Sequence, residues 1–532
     1  MTSINHISAI SATSATHLNL KLTTSETIFT NNFNKIYEKF NIKKAKYHGK
    51  FIQNIRNNVP EALQLDISAN FDKLAKIESD INSLITPKNN LEKEAYNELL
   101  FTQKSLSCIN FIPYFLALWS IFRIWIIPGI SFLIPVFTII LPFFIVKFVF
   151  NTNINMNNYM GILSQLTKKA GMSIANSSLS SNISFSLPSL LTVGMTLIQG
   201  FIQPYWSWKH LCSINEIVEN KEDILDTFRS LYIDIYTKLQ GVGIKITRCL
   251  IPDKYDKKQA LAFILNNPKY LEMMLYKLAS FEILFRLAVH RHVCIVTWGC
   301  RGLLLKQAYD YNISEQKRVP IDITLDQTGG HHVILTGPNK GGKSTVLRAI
   351  NYSVQLAHIY GCSFAEYAEM TPLYRLYTCL SADDLPGKKS RFEREIDFAH
   401  ETLRRPGSSS APSLILIDEL FHSTNPPDAK TVSEYYTGIL WKTPATMSII
   451  STHIFELAEK SPVSVQKLCC PGELQGDPLA GKQRIHYRYG LEKGINKVSS
   501  VFELWGGTLA SPGLSEGHTH QPSGLNRPEG VY

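Results

Sequence analysis

The chain has 532 residues, 45% of them hydrophobic and 18% charged, which is enough for two to four domains with cores of their own. A formal net charge of +10 is compatible with nucleic acid or an anionic lipid surface as partner and establishes neither. Nine cysteines with no C-x-x-C pair, and none at zinc spacing from histidines, argue against a structural metal and a disulfide scaffold and fit a reducing compartment.

Residues 1–25 are polar and rich in Ser and Thr. They are expected to be disordered, and they lack the basic start and apolar stretch of a secretory signal. Residues 26–106 place Leu, Ile and Phe at helical spacing among Lys, Glu and Asn, which predicts two or three amphipathic helices. The basic run Lys43-Lys44-Ala45-Lys46, continued by His48, Lys50 and Arg56, reads either as a solvated helix face or as a surface for phosphates of DNA or lipid.

Residues 107–208 are apolar. From Ile124 to Val146 there is no charged residue, and about twenty such residues span a bilayer core of roughly 30 Å. Ile109 to Phe122 is also uncharged, with Arg123 between, so 109–146 predicts either a tight membrane hairpin or one tilted helix. Pro128, Pro135 and Pro142 recur every seven residues and kink any helix on one side, leaving carbonyls that need local partners in lipid. Arg123 and Lys147 can snorkel, with Trp119 and Trp125 at headgroup level. A second uncharged run covers Ala170 to Trp208; its first part reads as a Ser- and Asn-rich loop, and Leu187 to Tyr205 as a membrane or buried segment. The alternative for both runs is a buried core. Two spans return the chain to its starting side, and lysines at 147, 168, 169 and 209 flank both ends without fixing an orientation.

Residues 209–318 predict further helix, for instance Ala260 to Leu287. The stretch 319–505 carries the chemistry. Thr336 to Thr345 reads Thr-Gly-Pro-Asn-Lys-Gly-Gly-Lys-Ser-Thr, with Gly337, Gly342, Lys343 and Ser344 at the offsets of a phosphate-binding loop. Val333-Ile334-Leu335 before it suits a buried strand, and Val346 to Ile350 after it starts a helix. In such a loop backbone N–H groups surround phosphate oxygens, Lys343 meets the β- and γ-phosphates, and the Ser344 hydroxyl ligates Mg²⁺. Leu414-Ile415-Leu416-Ile417-Asp418-Glu419 reads as a buried strand ending in two carboxylates. Asp418 would hold Mg²⁺, directly or through water, and Glu419 would orient or deprotonate the attacking water. Ser448 to His453 is a third apolar strand, and His453 at its end can sense the γ-phosphate or that water.

Together these residues resemble the ATPase domain of the MutS family of DNA mismatch-repair proteins, over roughly residues 300 to 505. The form Thr-Gly-Pro-Asn-x-Gly-Gly-Lys-Ser-Thr is narrower than the general loop, and it adds Pro338, Asn339, Gly341 and Thr345 to the implied ATP site. Ser381-Ala382-Asp383-Asp384-Leu385, then Ser390-Arg391-Phe392-Glu393-Arg394-Glu395-Ile396, is similar to the segment in which an Asp-Asp pair precedes a Ser-Thr-Phe-x-x-Glu signature. The resemblance implies a doubly wound α/β ATPase domain of the ABC-related class that binds ATP and Mg²⁺ and works as a dimer, with itself or with a related subunit. In it Ser390 reaches the partner's γ-phosphate, Asp418 and Glu419 form the metal and water pair, and His453 is the switch histidine. Lys493 to Val498 is similar to the turn into the last helix, which helps dimerisation in the family.

Two departures stand out. Phe421-His422-Ser423-Thr424-Asn425-Pro426-Pro427 replaces a glycine-rich Gly-Arg-Gly-Thr-Ser segment, and Arg391 replaces the usual threonine. No Phe-x-Glu mismatch wedge occurs before residue 300; Gly49-Lys50-Phe51-Ile52-Gln53 comes nearest and lacks the acid. The expectation is therefore an ATP-hydrolysing protein acting on DNA, or a membrane-anchored mechanical ATPase or scaffold that does not read mismatches. A relative that only binds nucleotide is a third reading. The expected location is a membrane with the ATPase domain in the cytosol, or else a soluble intracellular one. The tail 506–532 turns to Gly, Pro, Ser and His and is expected to be disordered, and Ser408-Ser409-Ser410 to be a surface loop.

Overall fold

Strand Lys35–Glu38 (β1) and helix Ile42–Asn58 (α1) open the described part of the chain. In this computed structural model the described residues are 35–38, 40–87, 89–103, 105–155, 158–159, 161–162, 187–299, 302–326, 330–380, 390–404, 412–475 and 484–498. The two tails, the Asp383-Asp384 pair, Ser408-Ser409-Ser410 and the Ser- and Asn-rich loop after Ala170 lie outside them. The described chain forms two compact units, one of residues 55–286 and one of residues 35–54 with 287–498.

The first unit is helical: Glu61–Ile85 (α2), Asn90–Leu99 (α3), Phe115–Ile121 (α4), Ile127–Phe144 (α5), Leu187–Gly241 (α6), Lys257–Asn266 (α7) and Pro268–Val289 (α8), which runs on past the unit's end. Buried Ile214, Val218, Lys221, Leu225, Phe228, Tyr232, Ile235 and Leu239 recur every three or four residues along α6, which turns one stripe of that helix into the core. Helices α2, α3 and α7 pack along it. Phe71 of α2 meets Phe281 and Phe285 of α8 with ring centroids 6.1 and 5.8 Å apart, and burying each such ring contributes about 1.5–3 kcal/mol. Side chains cap the starts: Asn89 accepts from the Glu92 N–H on α3, and Asp256 and Gln259 make a reciprocal capping box on α7.

The apolar region adopts one of the two arrangements left open for it. No hairpin forms within 109–146; α4 and α5 are one continuous helix, joined by a π-helical turn Phe122–Ile126 and extended by another, Ile145–Val149. Pro128 accounts for the first π-turn. Its ring would crowd the Ile124 carbonyl and it has no N–H to offer it, so the helix widens one turn earlier. Leu187 to Tyr205 likewise is no separate segment. It is the first part of the 55-residue α6, which continues through Pro204 across the expected boundary at 208/209.

The second unit is α/β. Residues 26–106 were expected together as two or three helices, but Lys35–Glu38 is a strand, and it belongs with residues 42–54 of α1 to this unit, while residues 55–58 belong to the helical one. Residues 209–318 are likewise not helical throughout. After α8 come Leu303–Ala308 (β2) and Ile321–Leu325 (β3), whose alternate residues are buried. His332–Thr336 (β4), Lys343–Tyr360 (α9), Tyr367–Met370 (β5), Arg375–Cys379 (β6), Arg391–Leu403 (α10), Ser413–Ile417 (β7), Pro426–Leu440 (α11), Thr446–Ser451 (β8), Phe455–Lys460 (α12), Val465–Cys469 (β9), Gly472–Gln475 (β10), Arg484–Tyr487 (β11) and Glu492–Lys493 (β12) follow.

The main sheet has the order β1-β6-β7-β8-β4-β9-β12, parallel from β6 to β9 and antiparallel at both edges. Its strands are apolar on both faces because both are covered. Val333, Leu335, Leu414, Leu416 and Ile449 share a core with Leu347 and Val354 of α9 and with β2, β3 and β5. Ile334, Ile415, Ile417 and Ile450 point the other way, onto Phe398 of α10, Tyr436 and Leu440 of α11 and Leu457 of α12. Helix α1 docks on the end of α9 backbone to backbone. Gly361 caps α9 at φ 70°, and a Cβ on it would stand 2.2 Å from the Ala45 carbonyl oxygen, so a side chain there is excluded. The basic residues Lys43, Lys44, Lys46 and Lys50 stay on the exposed face of α1.

Candidate functional site

Strand β4 is buried along its whole length and brings the chain to the carboxyl edge of the sheet. Gly337 has φ 144°, and a Cβ there would lie 2.8 Å from the Cys470 carbonyl oxygen, so glycine alone lets the loop pass the end of β9. Gly342 has φ 102° and turns the chain directly into α9. Lys343 is the first residue of that helix and is buried, and its Nζ donates to the carbonyl oxygens of Gly337 (3.0 Å) and Pro338 (3.1 Å). Burial pulls its pKa below the usual lysine value, with Cys470, Glu419 and Asp418 opposing. An ammonium so placed can exchange two loop carbonyls for phosphate oxygens.

The loop opens on a cleft of about 640 Å³. Its walls are Pro338, Asn339, Lys340, Gly341, Gly342, Lys343, Ser344 and Thr345, together with Glu419, Tyr489 and the segment Tyr309, Asp310, Ile313, Lys317, Arg318 and Val319. That segment is pinned to α9. Asp310 is fully buried and accepts from Arg348 Nε at 2.9 Å, while the Arg348 guanidinium also donates to Thr345 Oγ1 at 3.1 Å. The Arg318 guanidinium lies 4.4 Å over the Tyr309 ring, a cation–π contact, and donates to the Ile313 carbonyl.

Strand β7 delivers the carboxylates. The Asp418 N–H donates to the Cys379 carbonyl oxygen of β6 at 2.8 Å, which carries the sheet pairing one residue past the strand. Glu419 then takes a left-handed conformation, φ 56°, and lines the cleft, whereas Asp418 does not. A residue outside the sequence-level site ties both. Ser451, buried at the end of β8, donates to Asp418 Oδ1 at 2.6 Å and accepts the Glu419 N–H at 2.8 Å. The available signal was a hydroxyl in the last position of an otherwise apolar strand. In Ser451→Ala the Glu419 N–H is left buried without its partner, which costs about 1–3 kcal/mol. We expect a lower denaturation midpoint of that order and, through loss of carboxylate positioning, turnover reduced roughly 10- to 100-fold with nucleotide affinity little changed. Unchanged turnover beside a lowered midpoint would make Ser451 structural only.

Two histidines flank Glu419. His453 Nε2 lies 3.6 Å from Oε1 and His422 Nε2 lies 3.9 Å from Oε2, separations of ion pairs and longer than hydrogen bonds. His453 foremost, then His422 and Lys343, hold the Glu419 carboxyl down at about 2 against the cost of burial. This stabilises the fold above the ordinary value of 4.5 and is lost as pH falls towards 2. His422 belongs to the segment that departs from the family pattern, and nothing in the sequence marked it as a neighbour of Glu419.

Ser390 stands apart from this cleft. It is the N-cap of α10, where its Oγ accepts the Glu393 N–H at 3.2 Å and its own N–H donates to Glu393 Oε2 at 2.9 Å. The two departures from the family pattern meet on that helix. Buried Glu395 accepts from Ser423 Oγ at 2.8 Å and pairs with Arg391 Nε at 3.3 Å. Phe421 is buried between Phe392 and Tyr436.

Residues 333–504 match the family model for MutS domain V, the ATPase domain of MutS.

Proposed function

We propose that this chain is a Mg²⁺-dependent ATPase that works as a dimer with composite sites and acts on DNA. The observation that carries the reading is one cleft lined by the phosphate loop, Ser344 and Glu419, with Asp418 and Glu419 both held by Ser451. The residues fit ATP and Mg²⁺. A Cβ at Gly337 would strike the Cys470 carbonyl, so the loop can close only with glycine there, and among the described residues the buried Lys343 ammonium donates to its own loop's carbonyls. Ser344 and Asp418 would hold Mg²⁺, which supplies charge neutralisation at the phosphate oxygens when bound. Lys343 and the loop N–H groups hold the β- and γ-phosphates.

Glu419 orients the attacking water. The carboxylate lines the cleft beside the phosphate loop, where it can align a water for attack on the γ-phosphate. His453, 3.6 Å from that carboxylate, steadies its position. Ser390, at the exposed start of α10, is free to face a second copy, which supports the reading in trans. The exposed lysines of α1 and the net charge of +10 support DNA as the target, without a mismatch wedge.

The test is ATP turnover by the purified chain with Mg²⁺ and with the metal chelated, then with perfect, mismatched and branched duplex across a salt series. We expect turnover that chelation abolishes and DNA binding that ATP modulates. No nucleotide binding at all would overturn the ATPase reading. Turnover with only weak, salt-labile DNA binding would keep the ATPase and remove DNA.

A further inference from the structure

The continuous helix formed by α4, α5 and their π-turns is apolar where globular helices are buried, yet most of its described side chains are exposed or half-exposed. Within Phe115–Ile134, 17% of an apolar window is buried in the protein. Trp125, Ile130, Leu133, Ile134, Phe137 and Leu141 are all exposed. A patch of this length on a soluble surface is a binding surface in need of a partner.

We infer that α5 and the first part of α6 form an antiparallel pair inserted in a lipid bilayer. Four observations select lipid over a protein partner. First, the charge-free run Ile124–Val146 has 23 residues, about 34 Å of helix against a hydrocarbon core of roughly 30 Å. Second, charges mark both ends. Arg123 donates through Nε to Glu98 Oε2 at 2.9 Å at one end, and Lys147 Nζ stands 5.6 and 5.7 Å from the rings of Phe143 and Phe148 at the other.

Third, aromatic residues of both helices gather at the Arg123 end, as interfacial belts do. Trp125 and Trp208 rings are 5.8 Å apart, Lys209 lies 5.4 Å from the Trp206 ring, and the Trp119 indole N–H donates to the Glu98 carbonyl oxygen. Fourth, side-chain hydroxyls turn onto the helix backbone, as lipid requires of them: Ser131 Oγ donates to the Ile127 carbonyl oxygen at 2.9 Å and Thr152 Oγ1 to that of Val146 at 2.6 Å. Beyond the Arg123 end the contacts turn polar, with Lys258 donating to Ser120 Oγ at 2.9 Å. Helix α6 packs on α5 and leads back from the inserted part to this polar end. The chain therefore enters from the side that holds α2, α3 and α7 along α5 and returns to it along α6.

The inference stands independently of ATP or DNA. Its test is alkaline carbonate extraction of membranes from cells making the full chain, beside a triple variant Ile130→Asp, Leu133→Asp, Phe137→Asp. These three side chains are exposed, so the variant keeps its fold, which circular dichroism and a thermal melt verify. Wild type should remain in the membrane pellet and the variant should move largely to the supernatant. Wild type in the supernatant would overturn the inference, as would a variant retained as firmly as wild type. So would a wild-type chain that is soluble without detergent as a larger oligomer, since a second copy would then cover the face.

Discussion

In Lys343→Ala, ATP turnover falls by at least roughly 10²-fold, the scale for removing one preorganised charge from a transition state. The ammonium is buried and bound to the Gly337 and Pro338 carbonyl oxygens. Alanine leaves those carbonyls facing the phosphates with no cation between them. The fold should tolerate the change, because the loop's shape rests on Gly337 and Gly342 and on the buried β4. Steady-state turnover and a melt in the same buffer check this, and wild-type turnover in the variant would overturn the site. The same variant tests the composite dimer. Ser390→Ala should also be inactive, yet an equal mixture of the two should recover about a quarter of wild-type turnover. Half of randomly formed dimers are mixed, and each holds one complete site. A mixture as inactive as its parts would place Ser390 outside the partner's site.

What was legible in the sequence was local. The phosphate loop, its strand and helix, and the apolar runs ending in Asp418-Glu419 and Thr452-His453 each carry their pattern within ten residues or so, and the sheet follows from three such strands. What was not legible depends on pairing over distance. Lys35–Glu38 becomes a strand because the edge of β6 is open to it, with Lys35 opposite Thr378, a contact no local period encodes. Ser451 matters because β7 and β8 run parallel in a register that sets Ile417 beside Ile450, which brings the next residues of both strands together. The boundary drawn at 208/209 failed because charge changes there while the helix does not. Charge reports where solvent or lipid begins, and helix continuity is set by backbone hydrogen bonds that ignore it.

The altered residues around the site are coherent with one another. A glycine-rich segment after the carboxylates would leave that loop to be ordered by its surroundings. Here Phe421 is anchored in the core and Ser423 is tied to Glu395, which Arg391 also holds. Arg391 follows Ser390, so the residue proposed to face a second copy is joined through two contacts to the loop that carries Glu419. The proposed dimer contact and the hydrolytic carboxylate are thus mechanically connected, by residues other than those the family pattern uses.

Glu419→Gln should bind ATP and fail to hydrolyse it. Glutamine keeps the volume and the left-handed backbone at φ 56° fixed by Ser451, but loses the charge that aligns water. Loss of a positioned base or water-orienting group costs about 10²–10⁴ in rate. The variant should therefore accumulate as an ATP-bound dimer, visible by light scattering and by retained labelled nucleotide. A variant that does not retain ATP would make the glutamate structural. The pH profile separates its role from that of its neighbours. With the carboxyl held at about 2, Glu419 stays ionised through the whole range of about pH 5 to 8 in which histidines titrate. Any acid limb of wild-type turnover in that range must then come from another group. The histidine contacts hold the pKa low, so replacing His453 with alanine lets the carboxyl drift up towards 4.5, still below that range. His453→Ala should consequently lose turnover at every pH by misplacing Glu419, without bringing a new acid limb into the neutral range. A new limb there would mean that Glu419 is a proton acceptor with a pKa far above the one its surroundings impose.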